Sequence, residues 1–600
     1  MTIRIRIMQS GLLMGLLSLH SGCVSSWFTP PASQVEHDRR ESLREVLKSE
    51  DRPTIVSQIA TSRDFTVSSL ENIALVTNLV GTGGLVKPSQ PRDKLIAVMR
   101  RNEVANPNAL LDADVTTMVT AVSAVPPAAQ KGDVLDVAVD ISTHAEASDL
   151  QHGWLMETSL VEMSRLGGQL KEGFEMAVAE GPIVTMAQVN GSSDPQAKLA
   201  GIVIGGTKLL KPRTIGIGID EEYADAVTVA AVLPAIKKRF TYFDGLGQKG
   251  VATPRSDSYI ELVVPPKYAT DPFHFVNVVL QIGFNESASQ YAERLQLLQQ
   301  QIFDPAACRN ACWQLEAIGD DARDILASGL TSPDAEVRFY TAHSLAYLND
   351  RRSIETLKQL ARAEPAFRAM CLTGLSIVDD YSATEALEEL LNSAESEVRY
   401  GAFLALRHRD RSSPLVTGTR IGEAGSVLEI PTSGPPLIAV SLSKKPEIVV
   451  FGSNPQITLP TFLYLSDNLI VRGEGNGNIS VSQFAKGQED KVREVPADLR
   501  SVLAAISEVG GNYGEWVTFL RLCGEKGYVI EPVAMNPVPV AGRIYHRQSE
   551  GVSQPGSTLE SASLIDAFEK DRGAMQESMV GQEESVLQTA HWYNPLSWWK

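Results

Sequence analysis

Cysteine is scarce in this chain, with five residues among 600. After Cys23 only Cys308, Cys312, Cys371 and Cys523 remain, too few for a fold that depends on disulfides. Cys308 and Cys312 stand four residues apart in a helical pattern, without the second cysteine pair or the histidines of a zinc site. We therefore expect small buried core residues at these positions, and stabilisation by hydrophobic cores.

Positive charge is in deficit. The 54 lysines and arginines face 72 aspartates and glutamates, a net charge of −18, and no basic cluster offsets it. Such a chain repels a polyanion, so nucleic acid is not an expected partner. The hydrophobic share of 43% and the charged share of 21% are those of a folded protein, and 600 residues imply several domains.

Long apolar runs are missing as well. The run over 8–19 follows two arginines and is too short, and too often interrupted by Gly and Ser, for a membrane span of about 20 residues. The small residues before Cys23 resemble a bacterial lipoprotein cleavage site. We predict an export signal of the lipoprotein type over 1–23, with Cys23 lipidated. Ordinary signal cleavage nearby is the alternative, because His20 stands where such sites usually carry a branched aliphatic residue.

Signatures of catalysis are also missing. Neither the G-x-S-x-G nor the H-E-x-x-H pattern can be picked out, and the nine histidines are scattered. The run from Gly201 to Lys208 fails as a phosphate-binding loop, because its lysine is one residue late and Leu209 follows it. We predict no catalytic, cofactor-binding or metal-binding residues and therefore a protein that is not an enzyme. An exported hydrolase is the least favoured alternative.

The composition and hydrophobic pattern of the sequence change four times along the chain. A polar, charged tether over 24–62, with room for one short helix, leads into short β-rich runs and amphipathic helices over 63–286. Residues 287–411 have helical periodicity. Residues 412–540 have a strand-like pattern again, followed by two helices. The Ser-, Gln- and Glu-rich residues 541–600 are predicted to be disordered. Their tryptophan-rich end is expected to dock on a partner groove, on a membrane surface or back on the body of the protein.

Residues 287–411 contain an internal repeat. Cys308, Arg338, Arg368 and Arg399 occupy equivalent positions, at steps of 30, 30 and 31 residues. Small or apolar residues follow each of them at the spacing of one helical stripe, which stacking on the next repeat would bury. The pattern resembles short HEAT-type repeats, of which the Glu-Val-Arg at Arg338 and Arg399 is typical. The resemblance implies a solenoid with a curved surface for a protein ligand.

Runs outside the repeats resemble the bacterial flagellar P-ring protein family. The sequence LVTNLVGTGG over 75–84 looks like the family's L-V-x-x-L-x-G-T-G-D, and 114–137 is similar to its M-V-T-A, Pro-Pro and x-x-G-x-x-I-D-V stretch. The resemblance continues over 145–160, 177–183 and 497–533. Its structural positions fall on Gly81, Thr82, Gly83, Pro126, Pro127, Gly132, Asp136 and Gly153.

The resemblance implies an α+β fold in which a β-rich, ring-forming domain is split by an α-helical, HEAT-like solenoid insertion, with disordered termini. It implies a structural subunit of the periplasmic P ring, a bushing around the flagellar rod that supports motility. Expected partners are further copies of the chain, the rod and the outer-membrane ring proteins, with peptidoglycan as an additional candidate. Lipid on Cys23 would anchor the subunit to a membrane.

In an alternative interpretation the fold is the same, but the chain belongs to an assembly other than the flagellum. The family has neither the inserted solenoid nor the aromatic end, and its C-terminal cysteines are not matched, since Tyr528 stands at one of their positions. The chain would then be an envelope-anchored, non-flagellar scaffold or secretion-assembly protein that reuses the ring fold.

The repeat arginines provide a first test. Replacing Arg338, Arg368 and Arg399 by Glu is expected to disturb the stacking of the repeats or their concave face, because each recurs at the same place in its repeat. Solubility and partner binding are the measurements. Unchanged values for both would contradict the assignment.

Overall fold

The structure of the chain is a computed structural model that describes residues 40–48, 52–166, 169–243, 246–458, 461–474, 476–484, 489–549 and 552–558. The predicted export signal, Cys23 and the aromatic end lie outside these residues. Among the helices of the described ranges, none combines the length and the apolar character needed to cross a membrane.

The chain before the repeats is a mixture of strands and helices, as predicted. The segment expected to be a tether is helical over 40–46, and its end enters a sheet as the first strand. In chain order the elements are β1 (Ala60–Arg63), β2 (Ser68–Thr77), α1 (Gln90–Arg101), α2 (Pro107–Leu111), β3 (Thr117–Val125), β4 (Val134–Ile141), β5 (Trp154–Leu166), β6 (Gln169–Pro182), β7 (Val184–Thr185), α3 (Met186–Asn190), α4 (Pro195–Leu199), β8 (Ala200–Leu209), β9 (Ile215–Ile219), α5 (Ala226–Arg239), β10 (Thr241–Phe243), β11 (Gln248–Gly250), β12 (Ala252–Ser256), β13 (Tyr259–Leu262) and α6 (Pro272–Leu280).

Six of these strands close into a small barrel. Their order is β4-β3-β2-β5-β6-β8, and β8 pairs back with β4, so that Val139 faces Gly201 across the seam. Alternate residues of β4 are buried, among them Leu135, Val137 and Val139, because successive side chains of a strand point to opposite faces. Closure satisfies the backbone groups that an open sheet would leave at its edges.

One hairpin of the barrel is much longer than its neighbours. Strands β5 and β6 pair from Trp154 with Pro182 to Leu166 with Gln169. The neighbouring barrel strands pair only with the inner part of this hairpin. Strand β2 pairs with β5 up to Glu162, and β8 pairs with β6 from Ala177. Over 163–175 the hairpin therefore pairs only with itself among the described strands.

A second sheet, of order β1-β9-β13-β12, lies between the barrel and the repeats. Its core contains Ile217 of β9, Val232 of α5 and Phe275 of α6. Ala317 and Tyr347 of the helical repeats belong to the same buried cluster. The repeats are thus joined to the preceding sheet by a continuous core.

The predicted repeats are helical throughout. Each equivalent position lies at or near the start of a helix, and the stripe residues Leu315, Leu345 and Leu375 are buried against neighbouring helices. The helices are α7 (Ala288–Gln301), α8 (Cys308–Ile318), α9 (Arg323–Ser328), α10 (Ala335–Tyr347), α11 (Ser353–Ala363), α12 (Arg368–Ile377), α13 (Tyr381–Leu390) and α14 (Ser396–Arg409). Cys308, Cys312, Cys371 and Cys523 are buried free thiols, in accord with the core role predicted for the first two.

After the repeats the chain returns to strands. A five-stranded sheet has the order β14-β15-β17-β16-β22, and β18 to β21 form a four-stranded antiparallel sheet. Residues from 541 on were expected to be disordered, yet those up to 558 include a hairpin. The elements are β14 (Thr419–Ile421), β15 (Gly425–Ile430), β16 (Leu437–Val440), β17 (Glu447–Phe451), β18 (Leu463–Ser466), β19 (Leu469–Gly473), β20 (Asn478–Gln483), β21 (Lys491–Pro496), α15 (Leu499–Val509), α16 (Tyr513–Lys526), β22 (Val533–Met535), β23 (Ile544–Ser549) and β24 (Val552–Thr558).

Candidate functional site: turns and joints of a ring-type fold

The turn over 81–84 is held between two other loops. The Thr82 hydroxyl donates to the Asp149 carbonyl at 2.8 Å. A Cβ added at Gly83 would lie 2.3 Å from the Thr116 carbonyl oxygen, which is closer than any side chain tolerates. The glycine of this motif is therefore required by a close approach of two backbones.

The loop that follows β3 begins with Pro126 and Pro127. Gly132 adopts a φ of +90°, which glycine accommodates without strain, and its amide donates to the Leu209 carbonyl at 2.8 Å. This bond ties the loop to the end of β8. At Gly153, a Cβ would lie 2.7 Å from the Leu150 carbonyl oxygen. Among the remaining motif positions, Gly81 also has a positive φ, of 72°.

Asp136 joins the barrel to the chain beyond the repeats. Its Oδ1 accepts the amides of Gly205 at 2.6 Å and of Lys444 at 2.8 Å. Its Oδ2 accepts the Ser443 hydroxyl at 2.5 Å. Charged hydrogen bonds of this kind stabilise more than neutral ones. One motif carboxylate thus holds two barrel strands and a loop that lies some three hundred residues further along the chain.

The loop at Lys444 fits the barrel closely. Lys444 is buried, has a φ of 64°, and its ammonium donates to the Val134 carbonyl. A Cβ at Gly205 would lie 2.3 Å from the Lys444 carbonyl oxygen. The position opposite this loop therefore has to be glycine.

Replacing Asp136 by Asn tests this joint. The amide has a single acceptor oxygen and would direct an NH2 group at a donor, so we expect the unfolding free energy to fall by about 1–3 kcal/mol. Urea unfolding of the full chain measures it. Asp194→Asn is the matched control, because Asp194 caps a short exposed helix and Asn is an equally good cap. Equal midpoints for the two variants would contradict the role of Asp136.

A second buried carboxylate forms another joint. Glu515 of α16 is inaccessible to solvent, and its Oε1 accepts the side-chain amides of Gln151 and Gln188, each at 3.0 Å. Its Oε2 accepts the Asn512 amide at 2.8 Å and closes the helix cap. Since Gln151 precedes β5 and Gln188 lies in α3, helix α16 is anchored on the barrel.

A third buried carboxylate lies where the second sheet meets the repeats. Glu316 of α8 accepts hydrogen bonds from the Tyr268 hydroxyl at 2.8 Å and from Nε2 of His274 at 2.8 Å. The His274 ring stacks on Tyr347 at 4.3 Å between centroids and meets the edge of His343 at 4.8 Å. The polar groups of this cluster are enclosed by aromatic rings from both sides of the joint.

The two histidines of this cluster have opposite charge preferences. Burial lowers the pKa of His274, but the charge and hydrogen bond of Glu316 outweigh it, with help from Asp271, and the pKa lies above the ordinary 6.5. Burial and the neighbouring His274 place the pKa of His343 well below 6.5. His274 therefore stabilises the fold fully below pH 6.5 and loses that effect as the pH rises through its folded pKa. His343 opposes folding below pH 6.5, because only the unfolded chain then takes up its proton.

Replacing Glu316 by Gln tests this coupling. Without the carboxylate, burial dominates, so we expect the pKa of His274 to fall below 6.5 and the unfolding free energy at pH 6 to fall by about 1–3 kcal/mol. NMR titration of 13C-labelled histidines measures the first and urea unfolding the second. Glu355→Gln, at an exposed carboxylate of α11, is the control. A His274 titration that does not change in the Glu316 variant would refute the coupling.

The repeat arginines make contacts within the fold. Arg338 donates to the Ser332 carbonyl at 2.7 Å, in the turn before its own helix. Arg368 is buried and donates to the Ala361 carbonyl at 3.0 Å. Arg399 is buried as well, donates to a carbonyl of the strand-rich part and lies 5.3 Å from the centre of the Phe451 ring. Their role on a partner-binding face stays a prediction.

Several joint residues were not found from the sequence. Glu316, Glu515 and Lys444 are ordinary charged residues in sequence, and only their burial identifies them. The described residues contain no group of three His, Cys, Asp or Glu side chains placed to hold a metal ion. Phe174 of the long hairpin, in β6, is an exposed aromatic side chain, with 81% of its surface accessible.

Buried carboxylates thus join the closed barrel to the part of the chain after the repeats, and the second sheet to the repeats. Comparison with known families agrees. Residues 56–292 match the family model described as flagellar P-ring protein, and residues 292–368 match that of HEAT repeats. No curated protein matches the chain. The two matches confirm the resemblance inferred from the motifs and support a flagellar P-ring role in general.

Proposed function

We propose that this protein is a structural subunit of the P ring of the bacterial flagellar basal body, a bushing around the rod in the periplasm. The P-ring match over 56–292 carries the proposal. The motif residues support it, since Gly83, Gly132 and Asp136 occupy positions where the barrel needs a glycine or a carboxylate. The subunit has no catalytic task in this proposal.

The ring-forming unit includes the chain on both sides of the solenoid. The joints at Asp136 and Glu515 link 63–286 to 412–540. Val184 and Ile202 of the barrel part share one core with the strands and helices after the repeats. The solenoid over 287–411 is thus an insertion that adds a contact surface to a single ring subunit.

Further copies of the chain are the main partners, and the long hairpin β5–β6 is the contact we assign to them. Its outer part projects beyond the barrel, and Phe174 would be covered in a ring. The rod and the outer-membrane ring proteins are the other partners, with peptidoglycan as a further candidate. Cys23 remains the predicted lipid anchor.

The inserted solenoid favours a second candidate function. A surface of this kind serves protein contacts, and the ring fold would then assemble an envelope scaffold or a secretion apparatus outside motility.

Electron microscopy and genetics test the proposal. The detergent-extracted protein is expected to form rings in negative stain, and basal bodies from a deletion strain should lack that ring, with loss of motility.

Phe174→Asp should lower the ring fraction at least tenfold, because a charge would be buried at the contact.

Tyr381→Asp is the matched control, since Tyr381 is an exposed aromatic residue of the solenoid, and it should leave the rings intact. Monomers in negative stain together with intact basal bodies and normal motility in the deletion strain would favour the non-flagellar scaffold.

A further inference from the structure

A short segment after the ring-type fold lies along the solenoid. The guanidinium of Arg543 makes a two-pronged ion pair with Glu397, at 2.8 and 2.6 Å. Arg547 pairs in the same way with Glu336, at 2.5 and 3.0 Å. Between them, the Tyr545 ring lies 4.8 Å from that of Phe367.

The three contacted solenoid residues occupy similar positions in successive repeats. Glu336 and Glu397 each stand two residues before the recurring arginine, and Phe367 stands one residue before it, at Arg368. Tyr545 and Arg547 lie on β23, in which every second side chain points to the same face, and Arg543 directly precedes that strand. Arg543, Tyr545 and Arg547 therefore contact the fourth, third and second repeats in turn, so the segment runs against the order of the repeats.

Glu336, Phe367 and Glu397 line the surface that we call the groove, and both of its carboxylates are paired with arginines. The side chain of Glu336 is 1% exposed, and that of Glu397 receives Arg368 from the solenoid as well as Arg543. Removing one partner of a buried ion pair is destabilising, so these carboxylates favour a segment that brings cations. Planar guanidinium groups fit such two-pronged pairing better than ammonium groups do. The ligand of this groove is thus an extended segment with two arginines that flank an aromatic residue.

The segment is connected in a way that allows it to move as a unit. Its backbone pairs with β24 in a hairpin, and its bonds to the solenoid come from side chains. The connection from β22 contains Pro537 and Pro539 and ends at Gly542. Gly542 has a φ of +80°, and a Cβ added there would meet no other atom within 4 Å. A glycine of this kind is a natural hinge.

We propose that this groove of the solenoid is a peptide-binding site for an extended Arg-x-Tyr-x-Arg segment, and that a second copy of the chain supplies the segment in the assembled ring. The inference rests on the proposed function, which brings copies side by side. Each subunit has one segment and one groove, so exchange links neighbours head to tail, and every segment makes in its neighbour's groove the same bonds that it leaves in its own. Within a ring the neighbour's groove is present at a high local concentration and competes with the chain's own groove for the segment.

Cross-linking of full-length chains tests the exchange. In a Cys23→Ser background, one tagged chain has Glu397→Cys and an untagged chain has Arg543→Cys, and the mixture is assembled and treated with a short bismaleimide. The buried native cysteines are shielded from the reagent. Each variant keeps the contacts of Tyr545 and Arg547. Glu355→Cys replaces Glu397→Cys in the control, because Glu355 is an exposed glutamate of α11.

We expect the mixed product to exceed the Glu355 control at least tenfold, and Arg547→Glu in the untagged chain to lower it at least tenfold. A chain with both Arg543→Cys and Glu397→Cys reports contact within one chain. If that chain cross-links internally while assembled mixtures give no mixed product, exchange is refuted. Light scattering records assembly separately, so a failure to form rings counts against the proposed function and is distinguished from a failure of exchange.

Discussion

The hydrogen bonds of the Asp136 carboxylate are the interaction on which the architecture depends. They bring together strand β4, the turn at Gly205 in β8, and the loop at Lys444 beyond the repeats. The barrel closes between the first two, so the same carboxylate supports the seam and holds the distant part of the chain against it. A long insertion between the two parts is tolerated because the energetic cost of closing a loop grows slowly with its length.

Buried carboxylates also fix the solenoid at both of its ends. Glu316 joins its first helices to the sheet before it, and Glu447 in β17 pairs with Arg407 of the last repeat helix at 2.7 Å. A buried ion pair forms in one geometry only. Such a pair therefore fixes the orientation of the two elements it joins more than it stabilises the fold. The solenoid thus has a defined position relative to the barrel, and its groove faces the segment that follows the ring-type fold.

Periodicity and turn chemistry made much of this predictable. Steps of 30 and 31 residues between equivalent positions predict the solenoid, because the apolar face of each repeat helix has to be buried by the neighbouring repeat. Gly132 belongs to a turn whose positive φ makes the need for glycine local, whereas Gly83 is required by the Thr116 carbonyl that the fold brings against it. Strand β23 and the preceding Arg543 escaped prediction, because alternating arginines and a tyrosine lack an apolar face of their own, and only the solenoid makes that pattern stable.

The sequence by itself determined the order of β-rich and helical parts, the repeat and the family resemblance, since these follow from patterns within about forty residues. Tertiary structure alone decided which charged residues are buried. Asp136, Glu316 and Glu515 differ from solvated acids only in the groups that the fold brings to them from other parts of the chain. Burial of a charge is a property of its surroundings, and those are assembled only when the chain has folded.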